Sequence, residues 1–160
     1  MGRVAVFAFL LLAAWASGPI GRPAPTFQGT TLEGAAFNLS EHLGKRPIAL
    51  HFWATNCPPC RHEAPYWAQA QAAYGEQLLI VGVNVRDIPT MAREFVAKFS
   101  WTFPSVQDGT AAVAAAYRVT GLPTTVLIAS DGTVVGYHPV AYRSAATFEQ
   151  DLLRLIHWQP

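Results

Sequence analysis

Only two cysteines occur in the 160 residues. That scarcity excludes a disulfide-dense scaffold and a four-thiolate zinc site. Charge is also thin: Asp, Glu, Lys and Arg make up 13% of the chain, where an ordinary domain carries roughly 25%. Eleven basic and ten acidic residues leave a formal charge of +1, and no basic block stands out. Nucleic-acid binding is therefore not expected, because phosphate affinity comes mainly from clustered Lys and Arg. Internal repeats and low-complexity tracts are missing as well. Intrinsic disorder is excluded from the other side, since 51% of the residues are hydrophobic. The length is that of one domain.

Long apolar runs are missing too. The longest, Val4 to Ala16, would rise about 20 Å as a helix, short of a hydrocarbon core of roughly 30 Å. It follows Met1-Gly2-Arg3 and ends in Ala14-Trp15-Ala16, with Ser17-Gly18-Pro19 behind it. A positive start, a short apolar core and a small-x-small site make the pattern of a secretory signal. A buried helix is the plainer alternative, but no polar residue gives the run an outer face. We expect residues 1–20 to be a signal peptide or N-terminal membrane anchor and 21–160 to be one extracytoplasmic domain.

After a Pro/Gly-rich linker, Thr26 to Leu39 suits two short strands about a Glu33-Gly34 turn. Ser40 is placed to cap a brief helix ending at Gly44. Pro47 to Ala54 and Leu78 to Val85 read as buried strands. Pro58 to Tyr74 between them reads as a helix that Pro65 should kink. A further helix opens at Ile88-Pro89 and runs to about Phe99, with Met91, Phe95, Val96 and Phe99 as its apolar stripe. A short helix, Ala111 to Tyr117, precedes a hairpin of Thr124–Ala129 and Thr133–Tyr137 about Ser130-Asp131-Gly132. Thr147 to His157 closes the chain as a helix. This order implies an α/β fold: a central mixed sheet, helices on both faces and an antiparallel hairpin at one end.

Cys57 and Cys60 fall where the first buried strand turns into its helix. Free N–H groups and the helix dipole there stabilise a thiolate over a thiol. The thiolate is the species that attacks a disulfide. Pro58 suits the first turn, where its missing N–H is no loss. Cys60 lies one turn on, within bridging reach of Cys57. The pair can alternate between dithiol and disulfide, with Cys57 attacking and Cys60 resolving. Zinc would need further ligands, and neither His51 nor His62 falls in an H-x3-5-H pattern. A purely structural bridge gains little entropy from so short a loop. No metal and no cofactor is called for.

The stretch Phe52-Trp53-Ala54-Thr55-Asn56-Cys57-Pro58-Pro59-Cys60-Arg61-His62-Glu63-Ala64-Pro65 resembles the active-site segment of thioredoxin-like proteins. It is most similar to the exported TlpA/ResA-like thiol–disulfide oxidoreductases, with the pattern F-W-A-T-W-C-x-P-C-R-x-E-x-P. Gly121-Leu122-Pro123-Thr124-Thr125 resembles their second signature, G-x-P-T-T, in which the proline is cis. The resemblance runs from about residue 23 to the end. It implies a thioredoxin-like fold with an added N-terminal β-hairpin and an inserted helix near Pro89–Phe99. It implies that Pro123 packs against the dithiol and that Leu122 offers backbone groups to an incoming peptide. Asn56 and Pro58 would line the substrate surface. Glu63, one turn beyond Cys60, would be a partly buried acid that moves protons for the thiols. The implied function is reduction of specific protein disulfides, as in cytochrome c maturation. A monomer would act on protein thiols and draw electrons from a membrane donor.

Two positions depart from the pattern. Asn56 stands where Trp is usual before the first cysteine, which alters the rim of the substrate surface. His51 stands where thioredoxin itself has a buried Asp. It is either a proton acceptor for Cys60 or a packed core histidine, and no visible partner favours the first. Two other functions compete with this one. A peroxiredoxin-like peroxide reductase would show P-x-x-x-T-x-x-C, but Leu50 and Ala54 occupy its Pro and Thr positions. A copper-carrying thiol protein would use Cys57, Cys60 and a histidine, but in the related family the cysteines stand further apart.

Overall fold

The computed structural model describes residues 19–160. Apart from Pro19 and Ile20, the expected signal or anchor lies outside the described residues. Among these, no helix is long and apolar enough to cross a membrane. Gly34, at φ +88°, turns the chain between β1 (Gln28–Thr30) and β2 (Ala36–Asn38), the expected N-terminal hairpin. The brief helix after it is a single 3-10 turn, Leu39–Glu41. Its cap is Asn38 rather than Ser40: the Asn38 side chain accepts from Ser40 N at 3.1 Å. An Asn with extended backbone makes this bond as well as Ser does.

Next come β3 (Ile48–Trp53), α1 (Pro58–Tyr74) and β4 (Leu79–Val85), a β-α-β unit with parallel strands. The helix continues through Pro65, which has no N–H to offer the Arg61 carbonyl. The inserted helix is α2 (Pro89–Lys98). Beyond Pro104 the chain forms an edge strand, β5 (Ser105–Asp108), parallel to β4. Then follow α3 (Ala112–Ala116), β6 (Thr124–Ile128), β7 (Val134–His138) and α4 (Ala145–Ile156). The last helix begins two residues before the expected Thr147, because Ser144 caps it by accepting from Thr147 N at 3.2 Å.

The sheet order is β5-β4-β3-β6-β7, with β6 and β7 antiparallel to their neighbours. All six residues of β3 are buried, as its unbroken apolar character requires of a strand covered on both faces. Alternation along it serves two cores. Ala49 and Trp53 join Trp67, Phe95, Trp101, Phe148 and Leu152 beneath α1, α2 and α4. Ile48, Leu50 and Phe52 join Val81, Val126 and Tyr117 on the face that α3 and the N-terminal hairpin cover.

One backbone position ties strands to core. Trp53 Nε1 donates to Ser105 Oγ at 3.0 Å, from β3 to β5. Gly82 of β4 lies beneath this bond, and a Cβ there would collide with both side chains.

Candidate active site

β3 ends at Trp53, and Ala54-Thr55-Asn56-Cys57 forms a turn closed by Cys57 N donating to Ala54 O at 3.4 Å. Cys57 is the N-cap of α1, and its Sγ receives the Cys60 N–H at 3.2 Å. The two cysteines form a disulfide with Cα atoms 5.3 Å apart. Their exposures differ: Cys57 is 8% exposed and Cys60 0%. Cys57 keeps a small exposed area, and Cys60 is fully covered.

The Leu122–Pro123 bond is cis, as the G-x-P-T-T resemblance implied. Thr124 pairs with Phe52 across β6 and β3. Pro123 therefore sits at the end of the sheet from which the Ala54–Cys57 turn leaves. Pro123 is buried and Leu122 half-buried, while Asn56 and Pro58 are exposed.

Glu63 is fully buried. Its Oε1 accepts a hydrogen bond from the backbone N–H of Tyr142, and Oε2 has no partner among the described residues. Burial raises its carboxyl to about 7. The Tyr142 amide opposes that rise, as does the nearby Trp67 indole, whose N–H stops short of a hydrogen bond. Tyr142 is itself fixed by a parallel stack on His138 at 4.0 Å and a bond from its hydroxyl to Asp151 at 3.1 Å.

His51 is fully buried, stacked on Trp67 at 4.5 Å and edge-on to Trp101 at 5.6 Å. Neither ring nitrogen has a hydrogen-bond partner among the described residues. Burial lowers its pKa to about 3, so it is a neutral ring packed in an aromatic core. Of the two alternatives drawn from the sequence, this environment fits the packed histidine.

Two contributors escaped the sequence reading. Tyr142 lies 79 residues from Glu63, in a loop with no local signature. Asp87 precedes the Ile88-Pro89 helix start, where an acidic residue is a common capping feature. Its carboxylate accepts from Thr55 N and Thr55 Oγ1, both at 2.7 Å, and from Asn84 Nδ2 and Ile88 N at 2.8 Å. Burial works to raise its pKa, but these four donors outweigh it and hold the carboxyl below its ordinary value.

A five-stranded mixed sheet, a C-x-x-C disulfide where its central strand meets a helix, and a cis-proline just before the adjoining strand define a thioredoxin-like dithiol protein. The redoxin family matches residues 19–152. The chain belongs to that family, among its ResA-like thiol–disulfide oxidoreductases. It is 40% identical over 116 residues to the thiol-disulfide oxidoreductase ResA of Geobacillus kaustophilus, covering 72% of this chain. The chain spans about two thirds of that relative, 66%. Among solved structures, a secreted Mycobacterium tuberculosis disulfide oxidoreductase homologous to E. coli DsbE superimposes with a TM-score of 0.75 at 31% identity. That match covers 81% of this chain and 96% of the other. The MTB dsbF structure, in mixed oxidised and reduced forms, gives a TM-score of 0.73 at 32% identity, covering 81% and 94%.

Proposed function

We propose that the protein is an extracytoplasmic thiol–disulfide oxidoreductase that reduces specific protein disulfides through Cys57 and Cys60. The observation that carries this reading is the asymmetry of the pair: Cys57 at the N-cap with an edge to solvent, Cys60 fully covered. In the reduced protein, the Cys57 thiolate attacks one sulfur of a substrate disulfide and the substrate's other sulfur leaves as a thiolate. Cys60 then loses its proton and attacks Cys57 Sγ, which closes the intramolecular disulfide and frees the second substrate thiol. Two electrons pass from the dithiol to the substrate. A donor dithiol at the membrane reverses the cycle.

Glu63, with a pKa lifted to about 7, gives and takes protons near neutrality and serves the buried Cys60. Leu122 and Pro123 receive an extended peptide segment, and Asn56 and Pro58 form the rim that selects it. Domain 21–160 acts as a monomer after export by the N-terminal apolar run. Cytochrome c maturation, where apoprotein disulfides must be reduced outside the cytoplasm, is the process that fits. The test is turnover of a protein disulfide by single variants. Cys57→Ser abolishes reduction, and Cys60→Ser accumulates mixed disulfides through Cys57. Reduction by Cys57→Ser at the wild-type rate would overturn the reading.

A further inference from the structure

The turn that delivers Cys57 is held from both sides. Thr55, 5% exposed, is its second residue, and all of its polar groups are engaged. The N–H and hydroxyl donate to the Asp87 carboxylate, each at 2.7 Å. The carbonyl accepts from Arg61 Nη2 at 3.1 Å. An anion therefore grips the peptide unit before Thr55, and a cation the one after it. Both grips reach the inserted segment. Asp87 also binds Ile88 N, the N-cap residue of α2, and the Arg61 guanidinium lies 5.5 Å over the Phe95 ring of that helix. Asn84, near the end of β4, adds a fourth donor to the same carboxylate.

We propose that Asp87 is a positioning residue for the dithiol. Its carboxylate fixes the Ala54–Cys57 turn so that Cys57 Sγ stays over the first amides of α1. The thiolate owes its stability to that alignment, because the Cys60 N–H and the helix dipole act on it only at short range. An untethered turn lets Cys57 swing away from these donors. The inference rests on Cys57 being the attacking thiol, and it is separate from any role of Glu63.

Two effects of removing Asp87 have opposite signs, which makes the inference testable. Loss of a nearby negative charge favours the Cys57 thiolate and lowers its pKa. Loss of alignment disfavours the thiolate and raises it. The experiment measures pH-dependent alkylation of Cys57 in the reduced full chain, together with the reduction potential of the pair. The proteins are wild type, Asp87→Ala, Asp87→Asn and Thr55→Val, each checked for folding by circular dichroism. In Asp87→Ala the Cys57 half-point moves up, toward the roughly 8.5 of a free thiol. Asp87→Asn, which keeps one acceptor oxygen, falls between Asp87→Ala and wild type. Thr55→Val, which loses only the hydroxyl contact, moves the same way as Asp87→Ala by a smaller amount. It carries the test if Asp87→Ala does not fold. A half-point that is unchanged in folded variants, or that falls equally in Asp87→Ala and Asp87→Asn, overturns the inference. A wild-type Cys57 that is not acidic would instead defeat the proposed function.

Discussion

Tyr142 donates its backbone N–H to Oε1 of Glu63 from 79 residues away, and so closes the β7–α4 loop over this fully buried carboxylate of the dithiol helix. The loop makes Glu63 inaccessible, and that burial is what raises its proton affinity to about 7. The Tyr142 amide limits the rise. The ring of Tyr142, stacked on His138 and bonded to Asp151, keeps the amide in place.

Glu63→Gln is expected to keep the Tyr142 bond and lose the titration. Disulfide reduction by the wild type should show an inflection near pH 7, where Glu63 changes state. Glu63→Gln should lose that inflection and slow on the order of 100-fold, the usual worth of a positioned acid–base group. Stopped-flow rates between pH 5 and 9 check both expectations.

Folding stability should reveal two buried groups working against each other. Glu63 rises from 4.5 to about 7 on folding. The native state therefore holds the extra proton, and stability falls as pH climbs from about 4.5 to 7. His51 drops from 6.5 to about 3, so the unfolded state holds the extra proton there. Its contribution falls as pH drops from 6.5 toward 3. Between 4.5 and 6.5 the two slopes, one proton each, offset one another. Relative to wild type, Glu63→Gln should become progressively less stable on acidification through that window. His51→Phe should become progressively more stable over the same acidification. Urea titrations at pH 4.5, 5.5 and 6.5 measure the difference.

His51→Phe tests the packing as well. Phe keeps the ring against Trp67 and Trp101 and removes two buried nitrogens that lack partners among the described residues. Leaving a buried polar group unpaired costs roughly 1–3 kcal/mol. The variant should match or exceed wild-type stability at pH 7 and retain full activity. A large loss of activity in a folded variant would return His51 to the proton path.

Gly82→Ala should destabilise the fold by roughly 1–3 kcal/mol through overpacking. Its new methyl group meets Ser105 and Trp53 and breaks the bond between them. Thermal unfolding reports the loss, and Ser105→Ala alone, which removes the same hydrogen bond without the collision, should lose less.

The sequence exposed what depends on local pattern. The buried strand around His51, the C-x-x-C at its junction with α1 and the hairpin about Gly132 each carry their signal within a few residues. Residue type also sufficed for the order of the helices and of every strand but the edge strand β5. It did not suffice where long-range contacts decide. The Asn38 cap displaced Ser40 because two good capping residues lay two apart, and only tertiary placement chooses between them. The edge strand at Ser105 is too short and too polar to announce itself; its pairing with β4 makes it a strand. Tyr142 and Asp87 reach Glu63 and Thr55 through folding alone. At the candidate site the Cys57–Cys60 pair was legible, while Tyr142 and Asp87, which hold its surroundings, were not.

In the proposed mechanism Cys57 is acidic and accessible and Cys60 stays covered. Titrating the reduced protein with iodoacetamide across pH 4 to 10, and locating the label by mass spectrometry, tests it directly. Label is expected at Cys57 with a half-point well below the roughly 8.5 of a free thiol, and Cys60 is expected to stay untouched. Labelling of Cys60 first, or a Cys57 half-point at the free-thiol value, would contradict it.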